Sequence, residues 1–136
     1  MMNVKKLIRV VLADDHAMIR RGIRRILEKD PNIVVVAESS TGAGAILLVH
    51  ELQPDVLLLD IEMPDMKGYH VTRELRDCGE RLSIVALSSS DESYFIENVI
   101  QTGMDGYINK SDAAATIQQA IYAITEKRSL PGLNPI

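Results

Sequence analysis

Cysteine is almost missing: Cys78 is the single one in 136 residues. No internal disulfide and no multi-cysteine metal site can form, a usage that fits a reducing compartment. Long apolar runs are missing as well. Runs such as Val56 to Leu59 fall far short of the roughly 20 residues that a membrane-spanning helix needs. The opening Met1-Met2-Asn3-Val4-Lys5-Lys6 leads into no apolar stretch of secretory type and no small-residue cleavage site, so secretion is not expected and a cytoplasmic location is. Nor is there an excess of basic charge. A formal net charge of -4 argues against this chain itself gripping nucleic acid, whose protein partners are usually basic. Internal repeats and low-complexity tracts are absent. What is there is an ordinary globular composition, 46% hydrophobic and 25% charged, at a length that suits one domain.

Short apolar runs alternate with helical patterns. Leu7 to Ala13, Ile33 to Ala37, Val56 to Leu59, Ile84 to Leu87 and Gly106 to Ile108 read as five strands. Their nearly unbroken hydrophobicity is what strands need when helices cover both faces of a parallel sheet. Ile19, Ile23, Ile26 and Leu27 recur at helical spacing with Arg20, Arg21, Arg24 and Arg25 on the other face, which predicts an amphipathic helix after the first strand. Further helices are expected over Gly42 to Leu52, Gly68 to Asp77, Glu92 to Thr102 and Ala113 to Lys127. Turn-prone Asp30-Pro31, Gln53-Pro54 and Thr102-Gly103 bound them, and Asp91 and Ser111 or Asp112 are candidate N-caps. Five strand-helix pairs imply right-handed crossovers and a three-layer α/β domain. All strand C-termini then lie on one edge, where such folds bind ligands.

That edge receives a coherent set of polar residues: Asp14 and Asp15 after the first strand, Asp60 after the third, Ser88 after the fourth and Lys110 after the fifth. With neighbouring strands about 4.8 Å apart, these side chains meet if their strands are adjacent. Clustered carboxylates repel in the absence of a cation. A hard, oxygen-ligated ion is the natural compensation, Mg2+ ahead of Ca2+ because the ligands are few. Such a pocket suits phosphoryl transfer to a carboxylate, since a metal and a lysine neutralise the charge gathering on the phosphoryl oxygens. Asp60, at the mouth of the buried run Asp55-Val56-Leu57-Leu58-Leu59, is the candidate acceptor. Asp14 and Asp15 would hold the ion, Ser88 would donate a hydrogen bond and Lys110 would supply the cation. Each residue also has a plainer reading by itself. Asp14 and Asp15 could cap the first helix, and Asp60 could end a strand in a turn. Ser88 could belong to a polar loop with Ser89 and Ser90, Lys110 could be a solvated amine, and Tyr107 a half-buried strand aromatic. His16, His50 and His70 lack ligand spacing, and Cys78 has no partner in sequence.

The segments Leu12-Ala13-Asp14-Asp15-His16, Leu59-Asp60-Ile61-Glu62-Met63-Pro64-Asp65-Met66-Lys67-Gly68, Ala86-Leu87-Ser88 and Gly106-Tyr107-Ile108-Asn109-Lys110 together resemble the receiver domain of two-component response regulators. The likeness runs over residues 7 to 127. Details at Asp14-Asp15-His16, Asp105-Gly106-Tyr107 and Leu130-Pro131 are most similar to the NarL/FixJ-like branch, the LuxR-type regulators, whose members usually carry a C-terminal helix-turn-helix. The resemblance implies a flavodoxin-like, CheY-like (βα)5 fold with parallel strand order 2-1-3-4-5, the order known for flavodoxin and CheY themselves. Residues 1–128 would form the receiver, and 129–136, rich in Pro and Gly, would begin a linker toward a helix-turn-helix domain outside the chain.

Carried over position by position, the resemblance implies Asp60 as the phosphorylation site, with Ser88 and Lys110 beside it as catalytic groups. It implies Mg2+ held by Asp15 directly, by Asp14 largely through water, by Asp60, and by the backbone carbonyl of Glu62. Pro64 and Gly68 would shape the loop after the acceptor. A sensor histidine kinase would be the donor, and the receiver would catalyse only its own phosphorylation and dephosphorylation. Phosphorylation would draw Ser88 inward, let Tyr107 rotate and repack the face of the helix at 92–102, the fifth strand and the last helix, with a homodimer as one outcome. Two residue sets lie outside that scheme. Like charges at i, i+4 spacing mildly destabilise a helix, so Arg20 and Arg24 are expected to dock an acidic partner, the kinase or a second copy, a solvated face being the alternative. Glu62 and Ser90 are expected to screen the phosphoryl group from water, with the sign of the Glu62 effect open. Other functions stay open: a stand-alone receiver acting through protein contacts, or a degenerate receiver that takes no phosphate. A Mg2+-dependent phosphatase-like enzyme would need a cap for which the chain has no room. A flavin module is disfavoured by two acids where a phosphate-cradling loop belongs.

Overall fold

The computed structural model describes residues 7–89 and 101–129. Ser90, Asp91 and all but the last two residues of the helix expected over Glu92 to Thr102 lie outside them. Five parallel strands, β1 (Ile8–Ala13), β2 (Ile33–Ser39), β3 (Val56–Asp60), β4 (Ser83–Ser88) and β5 (Gly106–Asn109), form one sheet in the order β2-β1-β3-β4-β5. The described helices are α1 (Ala17–Glu28), α2 (Gly42–Leu52), α3 (Gly68–Asp77) and α4 (Ala113–Ser129). Strand order and the four described helices agree with the sequence reading.

Four strands, β2 to β5, run further than their apolar runs. Main-chain pairing continues through Asp60 opposite Leu87 and Ser88 opposite Asn109. Backbone ladders are indifferent to side-chain polarity, so Asp60 and Ser88 are terminal members of β3 and β4 instead of the first residues after them. The sheet is buried on both faces, as unbroken hydrophobicity requires. Val11, Leu57, Leu59, Ile84 and Ala86 pack with Ala45 and Val49 of α2 and Val71 and Leu75 of α3. Val10, Leu12, Leu58, Val85 and Leu87 pack with Ile23 and Leu27 of α1 and Ile117 and Ile121 of α4. Every residue of β3 is buried. Burying side chains such as Leu57, Leu58 and Leu59 stabilises by roughly 1.5–3 kcal/mol each.

His16 occupies the N-cap of α1 without a side-chain bond, so neither Asp14 nor Asp15 caps that helix. Ahead of α4, a 3-10 turn spans Lys110–Asp112, and Asn109 caps it by accepting from the Ser111 N–H. Asn109 also accepts from the Ser111 hydroxyl, which occupies one of the two side chains expected to cap the last helix. Thr41 caps α2 by accepting from Gly44. These starts all lie at the strand C-terminal edge.

Candidate functional site

β3 lies between β1 and β4, so Asp60 at its end faces residues from both neighbours. Lys110 Nζ lies 2.8 Å from Asp14 Oδ2 and 3.1 Å from Asp60 Oδ2. One ammonium thus bridges two carboxylates that are both buried, Asp14 at 0% and Asp60 at 1% exposure. The remaining oxygens take backbone donors: Asp14 Oδ1 accepts from the His16 N–H at 2.8 Å and Asp60 Oδ1 from the Glu62 N–H at 2.9 Å. Asp15 joins the group, since single ligand atoms of Asp14, Asp15, His16 and Asp60 all lie within 4.8 Å of one another.

Charge does not balance within this rim. Burial lifts the Asp60 pKa above the ordinary 3.8, and the neighbouring Asp14 adds to the rise; the Glu62 N–H and the Lys110 charge oppose it without cancelling it. Burial works against the charged form of Lys110 too, but the hydrogen bond to Asp14 and the charge of Asp60 hold its pKa above 10.5, so it stays an ammonium. Three carboxylates against one ammonium leave a surplus of negative charge. Asp15 Oδ1 is buried and receives no hydrogen bond among the described residues, with His16 Nδ1 3.3 Å away. An oxygen-rich, over-negative donor set with an unsatisfied oxygen suits a hard divalent cation of the Mg2+ kind. Asp14, Asp15 and Asp60 are the side chains that could hold it. His16 also stands at ligand distance, which its isolated position in the sequence did not suggest.

The loop after Asp60 is closed by main-chain bonds, Ile61 N–H to the Leu87 carbonyl at 3.2 Å and Gly68 N–H to the Ile61 carbonyl at 3.1 Å. A Cβ at position 68 would lie 2.7 Å from Ile61 Cα, so glycine is required by this close approach. Asp65 ties the loop to α2 by accepting from Gly42 and Ala43 N–H at 2.9 and 3.1 Å. The Gly42 bond above all holds its carboxyl below 3.8. The Glu62 side chain is exposed and pairs with Lys67 Nζ at 2.8 Å. Ser88 is buried, and alternation puts it on the face of Ala86, whose partner in register is Tyr107. Tyr107 packs against the α2 and α3 side of the core, and its hydroxyl is buried with no hydrogen-bond partner among the described residues.

Arg20 and Arg24 find an acidic partner inside the chain. Glu38 in β2 pairs with Arg20 Nε at 2.9 Å and with Arg24, and Arg24 also pairs with Glu28 at 3.1 Å. Burial alone would raise the Glu38 carboxyl, but hydrogen bonds from Arg24 and Arg20 outweigh it and hold the group below 4.5. The like-charged arginines therefore have a structural reason, and helix destabilisation no longer argues for an external partner.

A family model described as the response regulator receiver domain matches residues 10–122. The nitrate/nitrite response regulator protein NarP of Escherichia coli strain K12 is 41% identical over 114 residues, 84% of this chain and 53% of NarP. The chain spans about half the length of the curated relatives it matches. Among solved structures, the signal receiver domain of NarL from Mycobacterium tuberculosis superposes with a TM-score of 0.85 at 31% identity, covering 89% of this chain and 98% of that one. A LuxR-family two-component response regulator from Aurantimonas sp. SI85-9A1 superposes with a TM-score of 0.84 at 33% identity, covering 89% and 86%. No helix among the described residues is long and apolar enough to cross a membrane.

Proposed function

The chain belongs to the response regulator receiver domain family, and from that membership we propose that Asp60 accepts a phosphoryl group from the phosphohistidine of a sensor histidine kinase. The observation that carries this reading is the bridge from Lys110 Nζ to Asp14 and Asp60, which sets a cation against the acceptor carboxylate. An Asp60 oxygen attacks phosphorus in line with the imidazole. The O–P bond forms as the P–N bond breaks, and the imidazole leaves with the electron pair. Lys110 neutralises charge on the phosphoryl oxygens and Ser88 donates to one of them. When bound, Mg2+ supplies further charge neutralisation at those oxygens, and Asp14, Asp15, Asp60 and the Glu62 carbonyl are the groups that would hold it. The Glu62 N–H keeps the acceptor carboxylate oriented. The receiver acts on itself alone, taking up and losing its own phosphoryl group.

The switch we assign to Ser88 and Tyr107, which share a sheet face. Recruiting the Ser88 hydroxyl toward the phosphoryl group frees space for the Tyr107 ring, whose buried hydroxyl has no hydrogen-bond partner among the described residues. A bias of about 1–3 kcal/mol between the two arrangements is enough for a regulatory response. Transcriptional output and DNA contact are assigned to the further length that relatives such as NarP possess, with homodimer formation on phosphorylation as the intermediate and the cytoplasm as the site of action. Incubation with Mg2+ and a small-molecule phosphodonor tests the acceptor by intact mass. The parent should gain one phosphoryl group and Asp60→Asn none. Equal labelling of the two would refute the assignment.

A further inference from the structure

We infer that Arg20 is a positioning residue for the acidic rim: its guanidinium fixes the peptide between Asp14 and Asp15 and so sets the affinity of the site for a divalent cation. The inference rests on the reading of that rim as a Mg2+ site. Arg20 lies in the first turn of α1, and its Nη1 donates to the Asp14 carbonyl at 2.6 Å while its Nε donates to Glu38 Oε1 at 2.9 Å. That carbonyl and the Asp15 nitrogen belong to one rigid peptide unit. Whatever holds the oxygen therefore constrains the ψ of Asp14 and the φ of Asp15, and with them the places from which the two carboxylates start. Asp14 is held elsewhere too, its N–H by the Ser39 carbonyl at 3.0 Å and its carboxylate by His16 N–H and Lys110. Among the described residues Asp15 receives no hydrogen bond at its buried Oδ1, where His16 Nδ1 stands 3.3 Å away, so the backbone that places its Cβ matters most for it.

The partner that aims Arg20 is placed by an irregularity in β2. Ile33 and Val35 face α1, and strict alternation would put residue 37 on that side and Glu38 on the opposite one. The register between β1 and β2 slips by one between Val10 and Val11. Val36 and Ala37 both pack on the α2 side, and Glu38 returns opposite Leu12, on the α1 side. Bulges beside functional sites commonly re-aim one side chain in this manner. Arg24 shares Glu38, but its ion partners are Glu38 and Glu28. It serves as the control for a purely stabilising role.

Mg2+ titration by calorimetry, with thermal unfolding in EDTA, separates positioning from stability in the parent chain, Arg20→Ala, Arg24→Ala and Glu38→Gln. Removing groups that orient metal ligands typically weakens metal binding 10–100-fold, so Arg20→Ala should weaken Mg2+ binding by about tenfold. Arg24→Ala should melt earlier, having lost a Glu38 pair, yet bind Mg2+ as the parent does. Glu38→Gln should fall between Arg20→Ala and the parent. Unchanged binding in Arg20→Ala, or equal weakening in Arg20→Ala and Arg24→Ala, would overturn the inference while leaving the metal site standing. A parent that takes up no Mg2+ would overturn the metal reading and the inference with it. If Arg20→Ala does not fold, parent-like affinity in Glu38→Gln overturns the inference.

Discussion

Replacing Asp60 with Asn removes the acceptor and should nonetheless make the domain harder to unfold. At an effective dielectric of about 20, two unit charges at the 4.8 Å limit of the rim interact by about 3.5 kcal/mol, and the 3.1 Å pair of Asp60 with Lys110 by about 5. Repulsion from Asp14 and Asp15 together, about 7 kcal/mol, therefore exceeds that single attraction by about 2 kcal/mol. Desolvation of a side chain only 1% exposed acts in the same direction. The Asp60 pKa is raised by burial first, with the charge of Asp14 adding to the rise. A carboxyl whose folded pKa lies above its unfolded value contributes nothing adverse while protonated in both states. Its ionisation destabilises the fold as pH rises from the unfolded value, and the penalty is complete above the folded one. Asp60→Asn should then gain about 1–2 kcal/mol at neutral pH, which for a domain of this size is a rise in Tm of roughly 3–8 °C. The gain should shrink toward zero as pH falls to the ordinary carboxylate value of 3.8. Thermal unfolding by circular dichroism in EDTA across that range measures it. Saturating Mg2+ should narrow the difference by stabilising the parent more. A variant that melts at or below the parent at neutral pH in EDTA, or whose advantage ignores pH, would refute the electrostatic reasoning.

Lys110→Met leaves Asp14 and Asp60 buried without their shared cation, and breaking such a pair should cost about 3–5 kcal/mol in denaturant unfolding at neutral pH. Adding Asp60→Asn to it should restore part of the loss, and strict additivity of the two changes would contradict a shared charge network. Asp65→Ala removes the acceptor of two N–H groups at the start of α2, for which a loss of about 1 kcal/mol is expected. Thr41 still caps the helix, so a much larger loss in urea unfolding would point to some other role. Gly68→Ala must push its Cβ away from Ile61 Cα, at about 1–3 kcal/mol. Gly22→Ala in α1 meets nothing within 4 Å and should instead gain up to about 1 kcal/mol; similar effects at the two positions would show that packing against Ile61 is not the cause.

What could be read from the sequence and what could not divide along a physical line. In a parallel sheet every strand C-terminus reaches the same edge, so Asp14, Asp15, Asp60, Ser88 and Lys110 could be gathered from strand order alone. An error of one or two residues in a strand end, as at Asp60 and Ser88, does not move them off that edge. α2 and α3 were legible to the residue because turn-forming sequence bounds them. Side chains that act across the sheet face obey a stricter rule, because a slip of one residue sends a side chain to the opposite face. Counting by twos from Ile33 and Val35 puts Glu38 on the wrong side, and no residue type in β2 announces the bulge that returns it to Arg20. Asp65 was illegible for a related reason: its targets at the start of α2 are 23 and 22 residues away in the chain, and only packing of α2 beside the loop brings them together. The acceptor's place thus follows from topology, whereas the groups that aim the acids around it follow from register, which one inserted residue reverses.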